Sequence, residues 1–377
     1  MPVYKTLLDR TQPYNALPLL PPRADIETKP IMRAAILANR ALAALKNKAD
    51  RLPNQDVLIS SIALTEAKDS SAIENIFTTG DLLYKANITP ESKLDPNTKE
   101  VISYNSALWL GMELIKKNPL STNIFIRIVQ QIKKNSASIR NTTGTRIVNA
   151  NGEIIYTPPE GENIIRDKLK NLEDFMYEKD FAEIDPIIKM AIMHYQFEAI
   201  HPFGDGNGRT GRIINILWLV QEGLLNRPIL FLSKYFLNHR QDYYRFLNQI
   251  TGNNAWEQWI LYMLAAVEET ANKTYALIDR IMDIKELYKT EMQERFPKIY
   301  SLDIVETIFS APYFRLEDVI KKNPTKTRQT ISQYLHKLSQ PYIKEDGKRF
   351  QILQTFKQGR ENIYLNKDFF DILNNPT

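Results

Sequence analysis

Apolar residues recur at alternating steps of three and four along most of this chain. Between Pro30 and Leu52, Ala35, Ala38, Leu42, Leu45 and Ala49 keep that spacing, which predicts a long helix with one buried face. Val57–Lys68, Asn97–Lys117, Thr122–Lys134 and Glu162–Tyr177 repeat the pattern, each broken by a Pro, Asn or Gly cluster. Further helices are predicted over Pro186–Ile200, Gly208–Gln221, Gln241–Thr251 and from about Asn254 to Ile284. One stretch differs: around Asn151-Gly152 stand two β-branched runs, the strongest short-range hairpin signal, so a β-hairpin is predicted over 146–157. After Pro297 the order changes to short helices, an Asn323-Pro324 break, a basic helix Thr325–Leu338, and strands near Tyr342–Lys344 and Phe350–Leu353 around Gly347. That is the order of a winged helix-turn-helix. The fold class is therefore mainly all-α, with an N-terminal arm and helical region (1–95), a helical core carrying the hairpin (96–285) and a C-terminal winged module (298–377).

Composition narrows the chemistry. A chain of 377 residues with 43% hydrophobic and 25% charged residues can bury several packed units. The absence of cysteine removes disulfides, thiolate zinc sites and cysteine nucleophiles together. Neither the N-terminal MPVYKTLLDR nor any apolar run resembles a leader or a spanning helix, so a cytoplasmic protein with no membrane partner is expected. The Leu17–Pro22 run LPLLPP reads as an extended arm laid over a domain. The net charge of +5 lies mostly beyond Lys298, where 13 Lys or Arg face 9 Asp or Glu.

Chemistry concentrates in His201–Arg212, HPFGDGNGRTGR, between two apolar helices. Gly206 and Gly208 permit close backbone approach, so consecutive N–H groups can form an anion nest at the start of the next helix. Arg209 and Arg212, three apart, are expected to present two cations to a di- or triphosphate. Asp205 is a hard oxygen donor suited to magnesium held partly by phosphate. His201 can take a proton near neutral pH. Together they suggest a hydroxyl attacking a phosphorus held in the nest. Each group alone would be an ordinary turn or cap; nine specified residues in twelve favour function.

That run resembles the full signature of the Fic family. The resemblance implies a helical Fic core that transfers AMP from ATP, with Mg2+, to a Ser, Thr or Tyr hydroxyl of a target protein or of itself. It assigns His201 as general base, Asp205 as magnesium ligand, Gly206, Asn207 and Gly208 as anion hole, and Arg209 and Arg212 as grips on the β- and γ-phosphates. Gly208, where a kinase-like branch carries Lys, favours nucleotidyl over phosphoryl transfer. The hairpin resembles the flap on which target proteins dock as an added strand, with Ile155 and Tyr156 as candidates. Tyr243-Tyr244 resembles the pair lining an adenine pocket; on the residues alone, an aromatic pair in a helix is equally a core feature. Family members often form dimers, so the resemblance admits a homodimer and leaves the oligomeric state open.

Upstream, Ser71-x-x-Glu74 reads as a capping box at a helix start, while Ser70-x-x-x-Glu74-Asn75 resembles the inhibitory motif of self-restrained Fic proteins. That resemblance implies a Glu74–Arg212 salt bridge displacing the γ-phosphate, and in some relatives the glutamate also orients a water that removes AMP. In the C-terminal module the basic helix could enter a DNA groove, with Lys326, Arg328 and Gln329 near bases or phosphates and Ile331, Leu335 and Leu338 facing inward; winged helices also mediate protein contacts, and both readings stay open. An alternative is thus a DNA-binding regulator whose core only senses nucleotide; a catalytic histidine favours the enzyme.

Overall fold

The computed structural model describes residues 9–52, 55–149, 151–344, 347–359 and 361–375. Its architecture is a helical bundle with one small hairpin and a C-terminal module. Helix α1 (Lys29–Asp50) begins where Thr28 accepts from the Ile31 N–H, with Pro30 in the first turn. It buries Ile31, Ala35, Ala38, Leu42, Leu45 and Ala49, the stripe read from the spacing. Helix α2 (Gln55–Ile73) follows, then α3 (Gly80–Lys85), α4 (Pro96–Ile115) and α5 (Thr122–Lys133). The extent of α2 overturns the capping-box expectation: Ser71 lies in its last turn, not its first. The turn closes as the Ile76 N–H returns to the Ser71 carbonyl (3.0 Å) and Asn75 adopts a left-handed φ of 60°.

The hairpin pairs β1 (Ile147–Val148) with β2 (Ile154–Tyr156), Ile147 opposite Tyr156. Gly152 takes a φ of 80° in the turn, as the Asn-Gly signal requires. After α6 (Glu162–Tyr177) come α7 (Pro186–Ile200) and α8 (Asn207–Gln221), buried on nearly every side. Helix–helix contact is close here: a Cβ on Gly111 of α4 would lie 2.5 Å from Leu217 Cδ1. Helices α9 (Leu232–Asn238) and α10 (Arg240–Asn253) lead into α11 (Trp256–Arg295). The sequence pattern ended that last helix at Ile284; it runs on because Leu277, Ile278, Ile281, Lys285, Tyr288 and Met292 keep the buried stripe going. Helices α1 and α11 pack along each other. The N-terminal arm is extended as expected and is pinned by backbone acceptors: Lys168 donates to the Leu17 carbonyl (2.8 Å) and Gln196 to Pro18 (2.9 Å).

The C-terminal module runs α12 (Leu302–Ile308), β3 (Tyr313–Arg315), α13 (Leu316–Lys322), α14 (Arg328–Leu338), a small hairpin β4 (Tyr342–Ile343) and β5 (Arg349–Phe350), then β6 (Gln354–Gln358), β7 (Glu361–Leu365) and α15 (Lys367–Asn374). Its three-stranded antiparallel sheet has the order β3-β7-β6. The strands expected near 342–344 and 350–353 are present as the β4–β5 hairpin, Tyr342 opposite Phe350, and the β6–β7 pair that follows lies beyond that pattern. Gly359, with a φ of 63°, makes the turn that lets β6 fold onto β7. Ile331, Leu335 and Leu338 of α14 are buried. The module seats on the N-terminal helices: Tyr313 donates to Asp81 (2.5 Å), Arg315 donates to the Ile88 carbonyl, and Tyr84 meets Phe370 edge to face. Among the described residues no helix is long and apolar enough to cross a membrane.

Candidate functional site

Helix α7 ends on His201, which takes a left-handed conformation (φ 50°, ψ 59°), uncommon for a non-glycine residue. The buried Arg140 holds it there. Its Nε donates to the His201 carbonyl (2.7 Å), its Nη2 to the Ile200 (3.3 Å) and Pro159 carbonyls, and its backbone N–H to Pro202 (2.9 Å). One guanidinium thus caps the orphan carbonyls of α7 and ties them to the segment after the hairpin.

The loop then folds on itself. Asn207 donates through Nδ2 to the Phe203 carbonyl (2.8 Å) and accepts from the Phe203 N–H (2.9 Å). Its side chain is therefore a brace that fixes the loop, and its backbone N–H is left for the anion hole expected of it. Gly206 at φ 83° sets the entry to α8, whose first N–H groups have no preceding carbonyl in the helix. Gly208 stands in the first turn beside His201, and both line a cavity of about 760 Å³, counted to its open mouth, with Ile155, Glu198, Arg212, Tyr244 and Asn248.

The two arginines do not form a free cationic pair; each is taken by a carboxylate from a different helix. Arg209, 2% exposed, bonds Glu100 of α4 (2.7 Å). Arg212, 1% exposed, donates to the Ser70 hydroxyl (2.8 Å), the Ser70 carbonyl (3.0 Å) and Glu74 Oε1 (2.8 Å). A Cβ on Gly208 would meet Glu74 Oε1 at 2.4 Å, so this carboxylate lies directly over the glycine of the cradle. Burial would pull the Arg212 pKa down, but the Glu74 carboxylate more than offsets it and the pKa is raised.

Burial, with Arg140 nearby, lowers the His201 pKa to about 4. The imidazole is therefore neutral at pH 7, and its buried Nδ1 has no hydrogen-bond partner. Asp205 is largely exposed; burial raises its pKa, but the Lys133 ammonium at 2.5 Å outweighs this and the pKa is lowered. A single hard carboxylate at the cavity mouth fits a magnesium ion that takes most of its oxygens from a substrate and from water. No cluster of three or more metal-ligating side chains exists among the described residues.

The remaining sequence candidates separate. Tyr243 is 2% exposed, bonds His194 Nε2 (2.8 Å) and lies in an aromatic cluster with Phe236, Trp259 and Tyr262; it shapes the cavity from within the core. Tyr244 is more open, under the Arg240 guanidinium (5.8 Å). Tyr156 points inward, its hydroxyl donating to the Ala199 carbonyl (2.8 Å), so it anchors the hairpin and Ile155 alone of the two faces the cavity unbonded. Glu198 was not legible as a site residue, although a carboxylate one turn before the histidine on the same helix is a signal. Its buried Oε1 has no partner. Arg140 and Glu100 carry no such signal, being sixty-one and about a hundred residues from their partners.

Residues 32–113 match the N-terminal region of the Fic/DOC family, and residues 119–219 match the Fic/DOC family itself. That second match falls on the helices that carry the cavity. Residues 284–369 match the C-terminal domain of SoFic-like protein adenylyltransferases. A probable protein adenylyltransferase of Aquifex aeolicus is 29% identical over 172 residues, 44% of this chain and 47% of that protein. The protein adenylyltransferase Fic of Drosophila erecta is 23% identical over 312 residues, 78% of this chain and 61% of its own length. The chain thus spans about half the length, or less, of several of the curated relatives it matches. Among solved structures, a Fic family protein of Desulfovibrio desulfuricans superposes with a TM-score of 0.55 at 16% identity, over 92% of this chain and 98% of the other. A Fic-domain signalling protein of Bacteroides thetaiotaomicron gives 0.52 at 18% identity, over 64% and 95%. These likenesses show that the fold is the Fic fold.

Proposed function

We propose that this protein is an autoinhibited protein adenylyltransferase, described here in its restrained state. The observation that carries the reading is the meeting of three groups in one cavity: a neutral imidazole with an unpartnered nitrogen, the N-terminus of α8 at Gly208, and a carboxylate seated where a phosphate must go. With that carboxylate withdrawn, the α8 N–H groups and Arg212 bind the phosphates of ATP. A target hydroxyl attacks the α-phosphorus, His201 takes its proton, and the bond to the β-phosphate oxygen breaks, releasing pyrophosphate. Asp205 would hold a magnesium ion beside the phosphates, and the ion would supply neutralising charge there. Gly208 favours this sense of transfer, because a longer side chain would fill the cradle. The relatives named as protein adenylyltransferases support the same activity.

Glu74 restrains the reaction by holding Arg212 and by bringing negative charge to the phosphate position. A charge-assisted bond of this kind contributes about 1.5–3 kcal/mol, and each ~1.4 kcal/mol is tenfold in rate. The same carboxylate, turned toward a bound water, suits removal of AMP from a modified hydroxyl. A target segment would dock along the hairpin, where Val148 is 52% exposed. A nucleotide sensor without chemistry would need the cradle but no unpartnered imidazole, which favours the enzyme over that alternative. The test is transfer of label to protein from ATP labelled at the α- or the γ-phosphate. Label is expected from the α position only, and none from His201→Ala although ATP still binds; label from the γ position, or undiminished transfer by His201→Ala, contradicts the reading.

A further inference from the structure

The C-terminal module presents a second surface with its own chemistry. Its order of helix, strand, two helices and two paired strands leaves α14 packed mainly on α13 and open on its outer side. Between α14 and the β6–β7 pair runs a groove lined by Ser332, Gln333, His336, Lys337, Thr355 and Asn362, among others, none of them acidic. Helix α14 contains no Asp or Glu at all. Lys326 and Arg328, which the sequence placed at a ligand, are engaged within the module: the Lys326 ammonium lies over the Tyr334 ring (5.7 Å) and Arg328 pairs with Glu317 (2.5 Å).

The module's charges sort unevenly. Glu306 pairs with Lys285, Glu317 with Arg328, Glu361 with Arg315 and Asp371 with Lys367, while Asp318 accepts from the Arg315 N–H and Asp368 from Tyr288. Lys321, Lys322, Lys337, Arg349 and Lys357 are exposed, and among the described residues none of them is in an ion pair with an acidic side chain. Three of these acids are paired with bases of the module and Glu306 with Lys285 of α11, so the unpaired charge among the described residues is mostly cationic and extends from α13 across α14 to β6. We propose that this face binds duplex DNA, with Ser332, Gln333, His336 and Lys337 of α14 in the major groove and Lys357 of the β6–β7 wing on the phosphate backbone. An 11-residue helix is about 16 Å long, and a major groove admits a single helix of that width. Hydroxyl and amide groups on the inserted face suit base edges, while unpaired lysines suit phosphates. On β6, Phe356 meets Tyr313 and the Lys85 ammonium of α3, so that face of the strand is against the N-terminal helices, while its neighbours Thr355 and Lys357 are exposed and can be offered by the full chain.

The experiment is fluorescence anisotropy of the full-length protein with a labelled random-sequence DNA duplex across a potassium chloride series. Binding is expected to weaken steeply with salt, as counterion release requires. Lys337→Glu and Lys357→Glu should each weaken it about tenfold, and Gln333→Ala, which carries no charge, should weaken it without changing the salt slope. Lys170→Glu on α6, far along the chain in the Fic core, should have no effect. Circular dichroism checks each variant's fold, and Lys357→Gln replaces any that unfolds. No binding at low salt overturns the proposal. So does binding indifferent to Lys337 and Lys357, or binding in which single-stranded RNA or an acidic polypeptide outcompetes the duplex.

Discussion

Glu198 shows how one side chain can be read in three ways. In the sequence it is a polar residue of an apolar helix; in the structure it lines the nucleotide cavity with Oε1 buried and unpartnered, its carboxylate pressed where a Cβ on Gly211 would meet it at 2.5 Å. Burial pushes its pKa up to about 8, with Glu74 adding and Arg212 opposing. A folded-state pKa above the unfolded value means that the neutral carboxyl stabilises fully below about pH 4.5, and that this stabilisation is lost as pH rises toward about 8. Glu66, also buried and pushed up to about 8, acts in the same direction, whereas His201, depressed to about 4, withdraws stability as pH falls. His194, also buried and depressed to about 3, acts like His201. Because the two imidazoles gain, up to about pH 6.5, what the two carboxyls lose, the melting temperature should decline mainly between about pH 6.5 and pH 8, and Glu198→Gln should flatten part of that decline; an unchanged slope in calorimetric scans would contradict the role of Glu198.

At the scale of elements, helices with a strong stripe were legible because burial of one face dictates the period. The α1 stripe and the Asn151-Gly152 turn are examples: each is a local rule that nothing in the tertiary structure overrides. What was not legible depended on partners distant in the chain. Ser71 and Glu74 satisfy a local start signal, yet α2 ends there, because its continuous burial against α4 and α9 carries the helix through Ser71. The β4–β5 hairpin was legible from its alternation around Gly347, whereas β6 and β7 were not, since β7 is fixed by pairing with β3, about fifty residues before it in the chain. The end of α7 is likewise set from afar by Arg140. Arg140→Lys keeps a charge but loses the fork that bonds three carbonyls, so His201 should lose its fixed position. Turnover is expected to fall about tenfold or more with little change in ATP affinity, and the acidic limb of the pH–rate profile should shift upward as the imidazole becomes more solvated. Equal loss of affinity and turnover, with an unmoved profile, would mark Arg140 as a structural residue only.

Across the whole molecule, the site is assembled from segments that are far apart in sequence: α2 brings Ser70 and Glu74, α4 brings Glu100, α7 and α8 bring His201 to Arg212, and the C-terminal module buttresses α2 and α3. The nucleotide cradle was legible because its residues are contiguous; its occupation by Glu74 became visible only once two helices met. Arg212 serves Glu74 in this state, and under the proposed function it serves a phosphate once Glu74 withdraws. Intact-mass analysis of Glu74→Gly incubated with ATP and magnesium, beside the unmodified protein and the Glu74→Gly/His201→Ala double variant, tests this most directly. The single variant should gain one or more AMP groups roughly ten- to a hundredfold faster than the unmodified protein, and the double variant should gain none. A single variant that binds ATP but gains no mass, or a double variant that gains as much, contradicts the account.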